Sequence, residues 1–273
     1  MGGFNAKIGV LDSGIGGLSV LREIQRLLPA HPTVFVADQQ HLPYGPRSTP
    51  EIQQFSEGIT RFLIEQGAAV VVMACNTASA ASLFYLREVF PTLPIVGMEP
   101  ALKPALAESQ SGVVGVLSTQ ATAEGVLYRR LLERYAEGKQ VITQVAPELV
   151  RIAEAQSQHT PESRAIIRGY VEPIVAAGAD AIVLACTHFP FVADAIQDVV
   201  GAGVRLIDPS VAVARQTARV WPVDVEPGRD TPAYYTTGDT SLFQTRLKAL
   251  TGIGATAAGL TWSADERVLG LRG

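Results

Sequence analysis

Two cysteines are the residues of this chain best suited to proton chemistry, because a thiol titrates close to neutrality and each of these ends an apolar run. Val70-Val71-Val72-Met73-Ala74 leads into Cys75-Asn76-Thr77, and Ala181-Ile182-Val183-Leu184-Ala185 leads into Cys186-Thr187-His188. Runs of that length and composition read as buried strands, and the carboxyl ends of parallel strands are where α/β proteins bind ligands. A free cysteine is also an ordinary small core hydrophobe, and a structural disulfide is a further option. Two thiols in one local setting argue instead for a reaction that needs the same group on opposite sides of one atom.

Other segments carry groups suited to a small zwitterion. Asp12-Ser13-Gly14-Ile15-Gly16-Gly17 leaves a strand and opens a helix, so its N–H groups and the helix dipole could hold an anion. It lacks the final glycine of a dinucleotide fingerprint, and the glycines alone would also suit a tight turn. Pro43-Tyr44-Gly45-Pro46 reads as a rigid turn, structural or ligand-facing. His188 beside Cys186 is either a thiol activator or a cap. His31, His41 and His159 lie in polar or proline-flanked stretches and read as solvated. Neither the Cys and His spacing of a zinc site nor a P-loop occurs, so neither a metal nor nucleotide hydrolysis is expected.

These residues need elements to position them, and the chain supplies alternating strands and helices. Strands are expected at Lys7 to Leu11, Thr33 to Ala37, Ala69 to Ala74 and Pro94 to Gly97, with helices at Gly17 to Leu28, Pro50 to Gln66 and Ala78 to Phe90. The pattern then restarts, with strands at Val113 to Leu117, Gln140 to Val145, Ala181 to Ala185 and Arg205 to Ile207. Helices are expected at Thr122 to Tyr135, Pro147 to about Gln156 and Pro161 to Ala177, where Pro173 should kink or end the last one. Gly9-Val10-Leu11-Asp12-Ser13 is echoed by Gly115-Val116-Leu117-Ser118-Thr119, an offset of 106 (115 minus 9). Cys75-Asn76-Thr77 is echoed by Cys186-Thr187-His188, an offset of 111 (186 minus 75). Such agreement predicts an internal duplication: two similar parallel-sheet α/β domains with the active site in the cleft between them. Convergent strand-turn grammar is the alternative. The expected boundaries are 1–97 plus 209–273 for the first domain and 98–208 for the second, because the helix and strand after residue 209 need a sheet to join.

Composition bounds the partner classes. With 273 residues, 47% hydrophobic and 18% charged, the chain should fold into well-buried globular domains. A net charge of −4 argues against a phosphate-backbone footprint, and the longest apolar runs are strand-sized, so neither nucleic acid nor membrane is an expected partner. The opening residues, Met1 to Lys7, hold no apolar core of the length export requires, which predicts a reducing cytoplasm and no regulatory extension ahead of the first strand.

Taken in order, Asp12-Ser13-Gly14-Ile15-Gly16-Gly17, Pro43-Tyr44-Gly45, Ala74-Cys75-Asn76-Thr77-Ala78 and Ala185-Cys186-Thr187-His188-Phe189-Pro190 resemble the four signature segments of the glutamate racemases, in the aspartate/glutamate racemase superfamily. The resemblance runs from Lys7 to about Leu250. It implies a cofactor-independent enzyme that interconverts L- and D-glutamate for peptidoglycan synthesis, cytoplasmic and expected as a homodimer. It also implies that Cys75 and Cys186 are the acid/base thiols, with Cys75 facing the Cα proton of D-glutamate and Cys186 that of L-glutamate. Asp12 and His188 would assist them, and Glu154 falls where the family has a glutamate near that histidine. Asp12, Ser13, Tyr44, Gly45, Asn76, Thr77, Thr119, Thr122, Thr187 and His188 would bind substrate. The sequence departs from the family pattern at Gln39-Gln40, at Gly125 and at Ala146, none of them a proposed acid/base group. The alternatives are a racemase of another substrate, such as aspartate or a hydantoin, or a non-catalytic binding or inhibitor protein of the gyrase type on this scaffold.

Racemising an α-amino acid removes a proton from one face of Cα and delivers another to the opposite face, so a base and an acid must flank the carbon. Thiols titrate near ~8.5, so one thiolate and one thiol can coexist near neutral pH and exchange roles on turnover.

Overall fold

A computed structural model describes residues 5–272, so the expectations for the first four residues lie outside the described residues. The chain divides into two compact units, one formed by the residues up to Met98 together with those from Ser210 onward, the other by Glu99–Pro209.

The first unit opens with β1 (Lys7–Asp12), α1 (Leu18–Leu27), β2 (Thr33–Ala37), α2 (Thr49–Glu65), β3 (Ala68–Met73), α3 (Asn76–Val89) and β4 (Ile95–Gly97). The second unit contains α4 (Leu102–Glu108), β5 (Val113–Ser118), α5 (Gln120–Glu124), α6 (Val126–Tyr135), β6 (Gln140–Val145), α7 (Pro147–Ala155), α8 (Pro161–Ala176), β7 (Ala181–Ala185), a 3-10 turn at Phe189–Val192, α9 (Ala193–Val200) and β8 (Arg205–Ile207). The chain then completes the first unit with α10 (Ser210–Val220), β9 (Ala233–Thr236), α11 (Thr240–Thr251), β10 (Ala257–Trp262) and β11 (Leu269–Leu271).

The first sheet has the order β11-β10-β9-β2-β1-β3-β4 and is parallel except for β11, which pairs antiparallel with β10. The second sheet, β6-β5-β7-β8, is wholly parallel and repeats the order of β2-β1-β3-β4. In both, the chain leaves the first strand in one direction and returns across it to the third. Right-handed crossovers then place α1 on one face and α2 and α3 together on the other, and leave a crevice at the carboxyl ends of the first and third strands. Contacts agree with this: α2 packs on α3, and α1 packs on α10 and α11. The strands are apolar on both sides because both faces are covered; β2 and β7 are buried along their whole length.

Two helices differ from expectation for local reasons. The helix expected at Thr122 to Tyr135 is two, because Gly125 is extended (φ −67°, ψ 147°) and ends α5 while starting α6; glycine gains least from helical order. Pro173 neither ends nor shortens α8, which continues to Ala176 with the proline in its last turn. The short helices α4 and α9 and the C-terminal elements α11, β10 and β11 were not expected from the sequence.

Candidate active site

In the first unit the polar pair and the thiol sit together at the crevice between β1 and β3. Register pairs Leu11 with Met73, so Asp12 and Cys75 leave adjacent strand ends. Gly17 is obligatory here: a Cβ on it would lie 2.6 Å from Asp12 Cβ and 3.0 Å from Ala74 Cβ, so only glycine lets α1 start this close to the sheet. Asp12 is fully buried and its Oδ1 accepts the Gly14 N–H at 2.7 Å, which fixes the carboxylate at the turn. Cys75 is the N-cap of α3, and its sulfur accepts the Ala78 N–H at 3.4 Å and lies 3.6 Å from Ser13 Oγ. The sulfur thus sits at a helix N-terminus beside a hydroxyl. Asn76 and Thr77, the first residues of α3, are buried beside it. Neither amide atom of Asn76 has a hydrogen-bond partner. A buried amide left unmatched is costly.

Tyr44 is buried, and its hydroxyl donates to Asp38 Oδ2 at 2.7 Å. Burial, reinforced by the Asp38 carboxylate, holds that hydroxyl well above the usual phenol range, so it stays protonated. The segment around Gly45 is secured downstream by a capping box in which Ser48 N–H donates to Glu51 Oε2 at 2.9 Å at the start of α2. His41 corrects the expectation that it is solvated. It is buried, stacks on Phe55 with ring centroids 3.9 Å apart, and bonds Asp38 and Glu266. His31 packs edge-on to Trp221 at 4.6 Å, whereas His159 is exposed.

The second unit builds a matching crevice between β5 and β7, where register pairs Leu117 with Leu184 and Ser118 with Ala185. Cys186 follows β7, and its sulfur lies 3.8 Å from His188 Nδ1. His188 Nε2 lies 2.8 Å from Glu154 Oε1, on α7. Thr187, between Cys186 and His188 in sequence, is also buried. Burial alone would lower the His188 pKa, but the hydrogen bonds and negative charges of Cys186 and Glu154 outweigh it and hold the ring well above the ordinary histidine value. Thr119 caps α5 and donates to Thr122 Oγ1 at 3.0 Å. Sequence reasoning passed over Ser118 as a site residue; its hydroxyl is buried at the strand end without a partner. Its place opposite Asp12-Ser13 in the repeat was the available signal.

Both cysteines are buried, and neither is in a disulfide. Among the described residues no three His, Cys, Asp or Glu side chains converge as metal ligands, and no helix is long and apolar enough to cross a membrane.

Residues 8–217 match the Asp/Glu/Hydantoin racemase family. The chain is 46% identical over 251 residues to a glutamate racemase of Ectopseudomonas mendocina (strain ymp), an alignment covering 90% of this chain and 95% of that relative. It is similar in structure to Escherichia coli glutamate racemase in complex with L-glutamate and the activator UDP-MurNAc-ala, with TM-score 0.84 and 31% identity over 98% of this chain and 100% of that one. A glutamate racemase isoform from Bacillus anthracis gives TM-score 0.85 at 28% identity over 94% and 98% of the two chains. With a thiol at the same strand crossing of each sheet and a family match across most of its length, this chain belongs to the Asp/Glu/Hydantoin racemase family.

Proposed function

We propose that this chain interconverts L- and D-glutamate without a cofactor, with Cys75 and Cys186 as the two acid/base groups acting on one Cα. The observation that carries this reading is the repeated placement of a buried, unbridged thiol at the switch point of each sheet. In one direction the first thiolate takes the Cα proton and the second thiol delivers one to the opposite face; the reverse direction exchanges their states. His188, held by Glu154, keeps a positive charge beside Cys186, while the α3 N-terminus and Ser13 support Cys75. Asp12 stands by as the fixed carboxylate of the first half.

Without an electron sink, charge developing at the substrate carboxylate must be met by donors already in place. The unmatched amide of Asn76 is the clearest of these, and Ser13, Thr77, Thr119, Thr122 and Thr187 are of the right type. Asp38 accepts the hydrogen bond of the Tyr44 hydroxyl and so fixes the Tyr44-Gly45 segment on the substrate side of the crevice in this reading. D-Glutamate made this way would enter peptidoglycan synthesis in the cytoplasm, with a homodimer as the working assembly. Polarimetry with L- and D-glutamate and both aspartates tests the reading. Turnover of both glutamate enantiomers is expected. Faster turnover of aspartate, or no turnover of either amino acid, would contradict it.

A further inference from the structure

Asp38, at the end of β2, is fully buried and accepts from four side chains. Its Oδ2 receives the Tyr44 hydroxyl at 2.7 Å and His41 Nδ1 at 2.8 Å, and its Oδ1 receives Trp262 Nε1 at 2.9 Å and the Thr237 hydroxyl at 3.0 Å. Four donors fill the capacity of an ionised carboxylate. The other ring nitrogen of His41 lies 3.2 Å from Glu266 Oε1, so the doubly protonated ring is the form that satisfies both neighbours. Glu266 is in the turn joining β10 and β11, at φ 55°, a left-handed conformation that L residues avoid. Gln54 on α2 clamps that turn by donating to the carbonyls of Asp265 and Glu266 at 3.0 and 3.1 Å.

The seat for this hairpin is cut into α2. A Cβ on Gly58, in mid-helix, would fall 2.5 Å from Trp262 Cζ3, so glycine is tolerated there in exchange for admitting the indole. Thr237, Trp262 and Glu266 all lie beyond residue 217, where the family match ends. We propose that the C-terminal hairpin β10–β11 is a positioning element for substrate binding: Trp262 and Glu266, acting through Asp38 and His41, hold the Tyr44-Gly45 segment in its binding conformation. The inference rests on the racemase reading of the same site.

The test compares W262F, which removes the indole donor together with part of the ring seated at Gly58, with E266A and E266Q, which leave that seat filled, and reads KM and kcat for both glutamate enantiomers beside the melting temperature. W262F and E266A should raise KM about fivefold for both enantiomers while kcat stays within about twofold, the signature of lost uniform binding. E266Q keeps an acceptor for His41 and should recover most of the KM. A merely structural hairpin would lower the melting temperature and the active fraction and leave KM unmoved, and that result overturns the proposal. Failure of E266Q to improve on E266A overturns it as well. Should W262F not fold, Glu266 is only half-buried, with its side chain 46% exposed, and its two variants carry the test. A wild type that does not turn over glutamate refutes the racemase reading, whereas wild-type turnover with unmoved KM in the variants refutes this inference alone.

Discussion

His188 Nε2 lies 2.8 Å from Glu154 Oε1, with both side chains buried, so the nitrogen turned away from Cys186 is tied to a carboxylate. Glu154→Gln should lower kcat/KM by about tenfold, because the variant weakens the positive charge beside the thiol. The fall should be equal in both directions, since the equilibrium constant of a racemisation is one. Coupled assays from each enantiomer check this, and an undiminished kcat/KM would remove Glu154 from the mechanism.

The same pair predicts a pH dependence of stability. The folded-state pKa of His188 is raised, so its contribution is full below the unfolded value of about 6.5 and is lost as pH rises through the folded value. The difference in melting temperature between wild type and Glu154→Gln should therefore be largest below about pH 6.5 and shrink as pH rises from there. A difference that grows with pH would reverse the assignment.

Asn76 separates binding from stability. Its side-chain amide has no partner, so Asn76→Ala deletes no protein hydrogen bond and puts a better helix former in the first turn of α3. The melting temperature should hold or rise, while KM for glutamate rises about tenfold. A lower melting temperature with unchanged KM would make Asn76 structural.

Dialysis against a chelator and treatment with hydroxylamine should leave the rate of racemisation unchanged. Loss of activity restored by a metal ion or by pyridoxal phosphate would contradict the thiol mechanism.

The positions of the two thiols were legible in the sequence, because each closes an apolar strand-length run and the repeat places the polar pairs one strand over. The orientation of side chains was not. His41 looked solvated beside Gln39 and Gln40, yet its burial comes from Phe55 and from Trp262 far along the chain. Gln39 and Gln40 read only as departures from a family pattern; Gln39 Oε1 accepts the Thr236 hydroxyl at 2.8 Å, and Gln40 N–H donates to Thr237 Oγ1 at 2.9 Å, tying the loop to the end of β9. The hairpin carrying Trp262 escaped notice because β10 has a weak strand signature, Ala257-Ala258-Gly259 at its start, and gains its place by pairing with β9.

The most direct measurement is chloride elimination from the L and D isomers of β-chloroglutamate by Cys75→Ser and Cys186→Ser. Abstraction of the Cα proton expels chloride, so elimination needs a single competent thiolate, whereas racemisation needs both groups. Each serine variant should lose racemisation, because an alcohol is far too weak an acid to supply the base at neutral pH. Cys75→Ser should eliminate chloride from the L isomer alone, and Cys186→Ser from the D isomer alone. If either variant racemises glutamate near the wild-type rate, or eliminates from both isomers alike, one thiol serves both faces and the paired-cysteine account is wrong.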